Sequence, residues 1–481
     1  MAQKNELPTL IAALLFTAAL LGGGGWFLVN QFTDRAGPVV SSERGDGTGT
    51  TDSSGDQAGA TNSSNASLVT GADGSSGRSL LPGAVSAAKQ RGLDALAEQD
   101  FQTAQAEFSA ALQAEPNDPE SLIYLNNAQI GNAAAHTIAV VVPVGSALNA
   151  SLEMMRGVAQ AQTEINQAGG TTPLKVLLLD DRGDPETAVE VAESLAADDS
   201  VLGVVGHYTS DATLAAAAVY EAGELTMVSP TSTAVSISNA GDYIFRTVPS
   251  DRLAAATLAR YMLNEIDQQQ AVVFFDSNSA YSRSVKSEFT TELLSNGGSV
   301  VADFDISQPG FSAGQALQEA KRLGAQVVML ALTADTNDIA LQIISVNQKE
   351  LPMIGGDDMY NFKILDVGRA NAEGLVVAVP WHILSYEQSR FVSESRRLWG
   401  GDVNWRTVMA YDAVSTLVAA IDQDATREGV ATILAEPDFS ASGATETVRF
   451  LPTGDRNQPS QLVEVVPGSR SGTGFDYVPV E

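Results

Sequence analysis

The sequence predicts an α/β fold class: two doubly wound parallel-sheet lobes, preceded by a small α-helical repeat and an N-terminal transmembrane helix. Three observations predict it. Short apolar runs alternate with helical segments from His136 onward, this alternation restarts near Gln270, and residues 7–32 carry no charge. Continuous Val, Leu and Ile runs are expected of parallel strands buried on both faces. Two successive sets of strand–helix units hold too many strands for one compact sheet, hence two lobes.

The uncharged stretch "LPTLIAALLFTAALLGGGGWFLVNQF" runs from Leu7 to Phe32. At about 1.5 Å per residue it is long enough to span a bilayer. A cleaved secretory signal and a retained anchor compete for it. The run exceeds an ordinary signal core and no A-x-A site follows, so the anchor is expected, with Trp26 and Phe27 near the far interface. Its basic flank is thin, Lys4 and the amino terminus against Glu6. Residues 33–80 are mostly Gly, Ser, Thr, Asp and Asn with few large apolar side chains. Such a segment cannot offset its ordering entropy and is expected to be a disordered linker, a tether of roughly 40 Å root-mean-square span.

Residues 83–133 are helical in pattern. Gly92, Ala104, Phe108, Ala111 and Pro116 fall at the spacing of one tetratricopeptide repeat, a helix pair of about 34 residues. Small residues let the helices approach, Phe108 fills the seam, and Pro116 ends the second helix. Leu122 and Leu125 begin a third helix. A lone repeat buries too little to stand alone, so it either packs on the next domain or meets a partner.

From His136 the first set of strands comprises "IAVVVPV" (138–144), "LKVLLLD" (174–180), "VLGVVG" (201–206) and "LTMVS" (225–229). The second comprises "QAVVFFD" (270–276), "SVVADFD" (299–305), "QVVMLAL" (326–332), "PMIGG" (352–356) and "GLVVAVP" (374–380). Between them lie capped helices; "DPETAVEVAESLAADD" opens with an N-cap aspartate, an N1 proline and an acidic first turn. Late helices ("TVMAYDAVSTLVAAIDQ") precede "TVRFLPTGD" and "QLVEVV", read as closing strands that cross back between the lobes. The expected boundaries are lobe 1 at 136–250, lobe 2 at 251–380, late helices and crossover strands at 381–467, and a C-terminal tail at 468–481.

Two hydroxyl clusters, TSDAT (209–213) and SPTST (229–233), follow successive strands of the first set. Ligands of open parallel sheets bind beyond the carboxyl ends of strands, where helix N-termini present free N–H groups. Hydroxyls there cradle a carboxylate, although Ser, Thr and Asp at such places are also routine N-caps.

From His136 to about Pro467 the chain resembles the type I periplasmic solute-binding proteins of the leucine/isoleucine/valine-binding group. The matching blocks are "IAVVVPV", "GVAQAQTEINQAGG", "LLLDDRGDPETAVEVAESL", "GVVGHYTSDATLAAAAVYEAGELTMVSPTST", "YIFRTVPSD" and "FLPTGD", in the family's order. The resemblance implies the type I periplasmic-binding-protein fold, two lobes joined by three crossovers and closing around an amino acid or similar solute. It implies that the ligand carboxylate is held by Ser210, by Thr231 through its backbone, and by Thr233. It further implies Tyr281 from the second lobe and Asp357 for the ammonium, with Asp358 as near alternate. The sequence departs from the group in two places. The loop "VGSALNAS" lacks the aromatic that lines the family's side-chain pocket, and Thr333 stands where relatives can place another. Both make the pocket roomier or more polar; Trp381 and His382 could rebuild that wall or pack in the hinge.

A formal charge of −31 excludes nucleic acid and anionic lipid surfaces as partners. The absence of cysteine excludes disulfides and thiolate sites, and three histidines make a histidine-built metal centre unexpected. The motif "GFSAG" (310–314) matches the hydrolase elbow G-x-S-x-G. However, "SQPG" precedes it where a buried strand is required, so Ser312 reads as a helix cap, with Asp335 and His382 as unplaced triad partners. The expectation is therefore a non-catalytic receptor without cofactor, single-pass in the inner membrane, its soluble part on the periplasmic or extracellular side. It would deliver an amino acid or related carboxylate solute to an ABC transporter permease. A sensory or scaffolding receptor that recruits a partner protein through the helical repeat is the alternative, and a hydrolase at Ser312 the third reading.

Overall fold

The computed structural model describes residues 78–169 and 172–480. The expected anchor and nearly all of the linker lie outside the described residues. Among the described residues no helix is long and apolar enough to cross a membrane.

The chain begins with three helices, α1 (Ala87–Ala97), α2 (Phe101–Ala114) and α3 (Pro119–Ile130). Phe108 sits against Gly92 and tilts onto Tyr124, ring centroids 5.8 Å apart, all three buried. Buried Lys89 pairs with Asp118 at 2.8 Å and with Glu120 at 2.6 Å. Glu120 also accepts from the Leu80 N–H and the Ser79 hydroxyl, so the end of the expected linker is tied to the helices. The third helix packs on the next domain. Asn127 exchanges hydrogen bonds with the Val176 backbone at 2.8 and 3.1 Å, and Asn126 donates to Thr163 at 2.8 Å.

Two sheets follow. The first has the order β2-β1-β3-β4-β5, all parallel: β1 His136–Val142, β2 Leu174–Asp180, β3 Val201–Val205, β4 Met227–Ser229 and β5 Ile244–Arg246. The second contains β6 (Gln270–Phe275), β7 (Ser299–Asp305), β8 (Val327–Ala331), β9 (Met353–Gly355) and β10 (Leu375–Val379) as parallel strands in the order β10-β9-β8-β6-β7. Both lobes thus share one winding order, in which the first strand lies between the second and third. Loops leaving the carboxyl ends on either side of that strand diverge to opposite faces and open a crevice. The apolar runs explain the burial: Ile138–Val142 and all of β8 and β10 are buried.

Helices α4 (Leu148–Ala168), α5 (Pro185–Ala196) and α6 (Ser210–Ala222) clothe the first sheet, and α7 (Asp251–Asn264), α8 (Ala280–Ser295), α9 (Ala313–Arg322) and α10 (Asn337–Asn347) the second. After β10 the chain returns to lobe 1 as α11 (Arg390–Trp399), α12 (Trp405–Ile421), α13 (Arg427–Leu434) and the short pair β11 (Ala441–Ser442) and β12 (Thr447–Val448). It then re-enters lobe 2 as β13 (Gln461–Pro467), antiparallel to β10. The chain therefore passes between the sheets three times, near residues 247–250, 380–382 and 457–460. The expected C-terminal tail is corrected: β14 (Phe475–Pro479) pairs antiparallel with β13 and forms the sheet edge. Of "TVRFLPTGD" only Thr447–Val448 is a strand, paired with β11, while Asp455 adds one parallel bridge to Arg246 at the end of β5.

Helix α12 lies directly on α4 because Gly157 has no side chain. A Cβ there would run into the Thr407 carbonyl and stand 2.9 Å from the Tyr411 nitrogen, backbone atoms that cannot swing away. Gly157→Ala is expected to cost about 1–3 kcal/mol by overpacking. Thermal unfolding checks it, and an unchanged melting temperature would refute this close contact.

Candidate functional site

The two lobes face each other with the carboxyl ends of their strands. A cavity of about 310 Å³ lies there, walled by the loops after β3 and β4 on one side and after β6, β8 and β9 on the other. Ser210, Thr231, Tyr281 and Asp357 all line it. Thr233, grouped with them in the sequence reading, does not. Its carbonyl accepts the Asp251 N–H at 2.9 Å and its hydroxyl lies beside the Asp251 carboxyl, next to the first crossover.

The hydroxyl clusters divide into two kinds. Thr209 caps α6, accepting from the Ala212 N–H at 3.1 Å, so the N–H groups of that helix end at the cavity. Most of the others hold two carbonyls: Ser229 and Ser232 donate to His207 at 2.9 and 3.2 Å, and Thr231 donates to Tyr208 at 2.9 Å. These bonds fix the turn that carries Tyr208 over the site. Below the turn, fully buried His207 joins Asp181 at 2.6 Å and the Tyr220 hydroxyl at 2.9 Å. Ser210 accepts from the Ala234 N–H at 3.3 Å, which leaves its own proton to donate into the cavity.

Opposite stand Tyr281 and Asp357. The Tyr281 hydroxyl donates to Asp357 Oδ1 at 2.8 Å and accepts from the Asp358 N–H at 3.4 Å. Gly356 permits this contact, since a Cβ there would strike the Tyr281 hydroxyl. Burial, then the charges of Asp358 and Asp251, push the Asp357 carboxyl up to about 8, against the lowering effects of Tyr281 and Arg406. Asp358 has a different task. It accepts from Arg406 Nη2 at 2.9 Å and from the Tyr208 hydroxyl at 3.3 Å. Arg406 and Tyr208 belong to lobe 1 and Asp358 to lobe 2, so this trio bridges the lobes. Asp211 adds a second bridge by accepting the Ala280 N–H at the start of α8 at 3.0–3.1 Å.

Tyr208, Arg406, Asp211 and Asp335 were not singled out for the cleft by the sequence. Tyr208 had a signal, an aromatic between a strand end and the hydroxyl cluster in "GHYTSDAT". Arg406 had a weaker one, a cation in the first turn of a mostly apolar helix. Tyr208 and Tyr360 are aromatics that line the cleft, and Trp381 lines neither of its two cavities. Trp381 is buried against Tyr386 and donates to Thr445 at 3.2 Å, so it packs in the hinge. His382 stands edge-on to Tyr360, and burial brings it down to about 4, which keeps it neutral. Ser312 caps α9 by accepting from the Gln315 N–H, and among the described residues no hydrogen bond links it to Asp335 or His382.

Two doubly wound lobes, three crossovers and a polar interlobe cavity define a two-lobed binding protein. The profile of a family described as periplasmic binding protein matches residues 135–472, and the chain belongs to that family. It is similar to the leucine-, isoleucine-, valine-, threonine- and alanine-binding protein of Pseudomonas aeruginosa, 26% identical over 292 residues, 60% of this chain and 78% of that one. It is also 24% identical over 304 residues to the leucine-specific-binding protein of Salmonella typhimurium, 61% of this chain and 79% of that one. Among solved structures, an ABC transporter substrate-binding protein of Desulfitobacterium hafniense in complex with Leu aligns with TM-score 0.61 and 23% identity, over 71% of this chain and 99% of that one. A solute-binding protein of Rhodopseudomonas palustris in complex with 3,4-dihydroxybenzoic acid aligns with TM-score 0.62 and 16% identity, over 72% and 96%. The shared fold thus holds ligands of different chemistry in different proteins.

Proposed function

We propose that this chain is an extracytoplasmic receptor that captures an α-amino acid between its lobes and delivers it to an ABC importer. The observation that carries the reading is the arrangement of opposite chemistries across one small cavity. The Ser210 hydroxyl, the Thr231 backbone N–H and the start of α6 offer donors on lobe 1, and Asp357, held by Tyr281, offers a carboxyl on lobe 2. In this reading the hydroxyls and backbone N–H groups take the ligand's carboxylate. Asp357 takes its ammonium, and Tyr281 orients Asp357. A zwitterion gripped from both sides stabilises the closed state through contacts the open state lacks. Delivery to an importer is supported by the family and by the substrate-binding relatives. Residues 7–32 would act as the membrane anchor and residues 83–133 as a helical spacer fixed to lobe 1.

Calorimetric titration of the full-length chain, in mild detergent, with each common amino acid tests the reading. The double variant Ser210→Ala/Tyr281→Phe is expected to lose about thirtyfold or more in affinity, since it removes two hydroxyls from a buried polar site. It should stay folded, with a melting temperature lowered by the loss of the bonds from Ala234 to Ser210 and from Tyr281 to Asp357. Equal affinity in variant and wild type would overturn these roles.

A further inference from the structure

The cleft continues past Tyr208 into a second cavity of about 750 Å³, which shares Tyr208, Ala334 and Asp335 with the first. The two differ in charge. Every charged residue lining the first is an acid: Asp211, Asp276, Asp335, Asp357 and Asp358. The bases lining the cleft, Arg156, Lys363 and Arg406, all face the second, together with Asn149, Asn361 and Asn404. Of the two acids there, Glu153 is already engaged. It contacts Arg156 and accepts from the Asn404 N–H at 3.2 Å and from the Thr407 hydroxyl. Asp335 stands at the junction of the cavities, where burial and the charge of Asp358 raise its carboxyl. A guanidinium has five N–H donors. Arg406, 4% exposed, uses Nη2 on Asp358, also meets the Tyr208 hydroxyl, and reaches the Tyr360 carbonyl from Nη1 at only 3.4 Å, while its Nε has no acceptor among the described residues. A branched aliphatic side chain in such a chamber would strip water from these donors and return no hydrogen bond.

We propose that the second cavity is a side-chain subsite for an α-amino acid whose side chain ends in a carboxylate or carboxamide oxygen. This rests on the preceding reading, in which the first cavity holds the amino-acid head group. The side chain passes Tyr208, and its terminal oxygen accepts from Arg406 and from the amides of Asn149 and Asn404. Branched aliphatic amino acids bind more weakly because their side chains cannot satisfy those groups.

The test compares alanine, leucine, glutamine and glutamate on the full-length chain by calorimetry. Alanine reaches only the head-group cavity and so reports on the preceding reading alone. Glutamine and glutamate are expected to bind at least about tenfold tighter than leucine, a difference of about 1.4 kcal/mol. Glutamate above glutamine identifies charge pairing with Arg406, and near-equal values identify hydrogen bonding; either supports the proposal. Arg406→Met should bring the glutamate-to-leucine ratio close to one, and Arg406→Lys should restore part of it. Leucine equal to or tighter than both polar ligands, with alanine still bound, would overturn the subsite and leave the head-group reading standing. Failure of all four to bind would overturn both. The wild-type series decides the matter even if an Arg406 variant does not fold.

Discussion

Asp357→Asn is expected to weaken amino-acid binding by about a hundredfold or more, on the order of 3 kcal/mol, and to abolish its pH dependence. An ammonium needs an ionised partner. In the empty cleft the Asp357 carboxyl, pushed up to about 8, holds a proton at pH 6 to 7. Capture of the ligand must expel that proton, so wild-type affinity should rise by about tenfold per pH unit up to about 8 and then level off. At pH 6 about one proton should be released per ligand bound, read by calorimetry in two buffers of different ionisation enthalpy. The sign for stability is opposite. The folded-state value lies above the unfolded one, so the empty protein binds the extra proton between the ordinary carboxylate range and about 8. Its stability therefore falls as pH rises through that window. Asparagine carries no charge, so the variant should melt at or above the wild-type temperature at pH 8.5 while binding poorly. A pH-independent affinity in the wild type would sink this account.

The parts of this fold that could be read from sequence are those whose burial is local. The Val-rich runs of β1, β8 and β10 announce strands covered on both faces, and Asp184 with Pro185 announces the start of α5. β14 was missed for a physical reason. "FDYVP" follows the Gly- and Ser-rich "GSRSGTG" and lies on the sheet edge, so it lacks the continuous apolar signal of an interior strand. The candidate site was legible by position, because hydroxyls after a buried run must lie at a strand's carboxyl end. What each hydroxyl does was not legible. Ser229 and Ser232 serve the His207 carbonyl, and Thr233 serves the crossover, distinctions set by the path of the chain in space. Nor could the sequence join Tyr208 and Arg406 to Asp358, since two loops and a helix start, distant in sequence, meet only when both lobes are built.

Arg456→Met is expected to destabilise the protein by about 3–5 kcal/mol, because it strands a buried charge. Arg456 and Asp412, 3% and 1% exposed, form an ion pair inside lobe 1. Asp412 lies on α12 and also accepts the Ala444 N–H at 2.6 Å, while Arg456 donates to the Thr247 carbonyl at 3.3 Å. Thr247 in turn donates to the Met409 carbonyl at 2.8 Å. The pair thus fastens the first and third crossovers to the helix that carries Arg406 into the cleft. Without the guanidinium, burial and the charge of Glu446 act on Asp412 against the Ala444 N–H alone, and its carboxyl already sits above its ordinary value in the intact protein. The variant's folded-state value rises further, so its deficit should be largest at high pH and shrink as the carboxyl takes a proton. Removing both charges in Arg456→Met/Asp412→Leu should recover most of the loss, since a buried pair contributes far less than either stranded partner costs. Urea unfolding of both singles and the double at pH 5 and pH 8 measures the coupling. A double variant whose loss is merely the sum of the singles would mean the charges act independently, and the crossovers would then be held by backbone and apolar contacts alone.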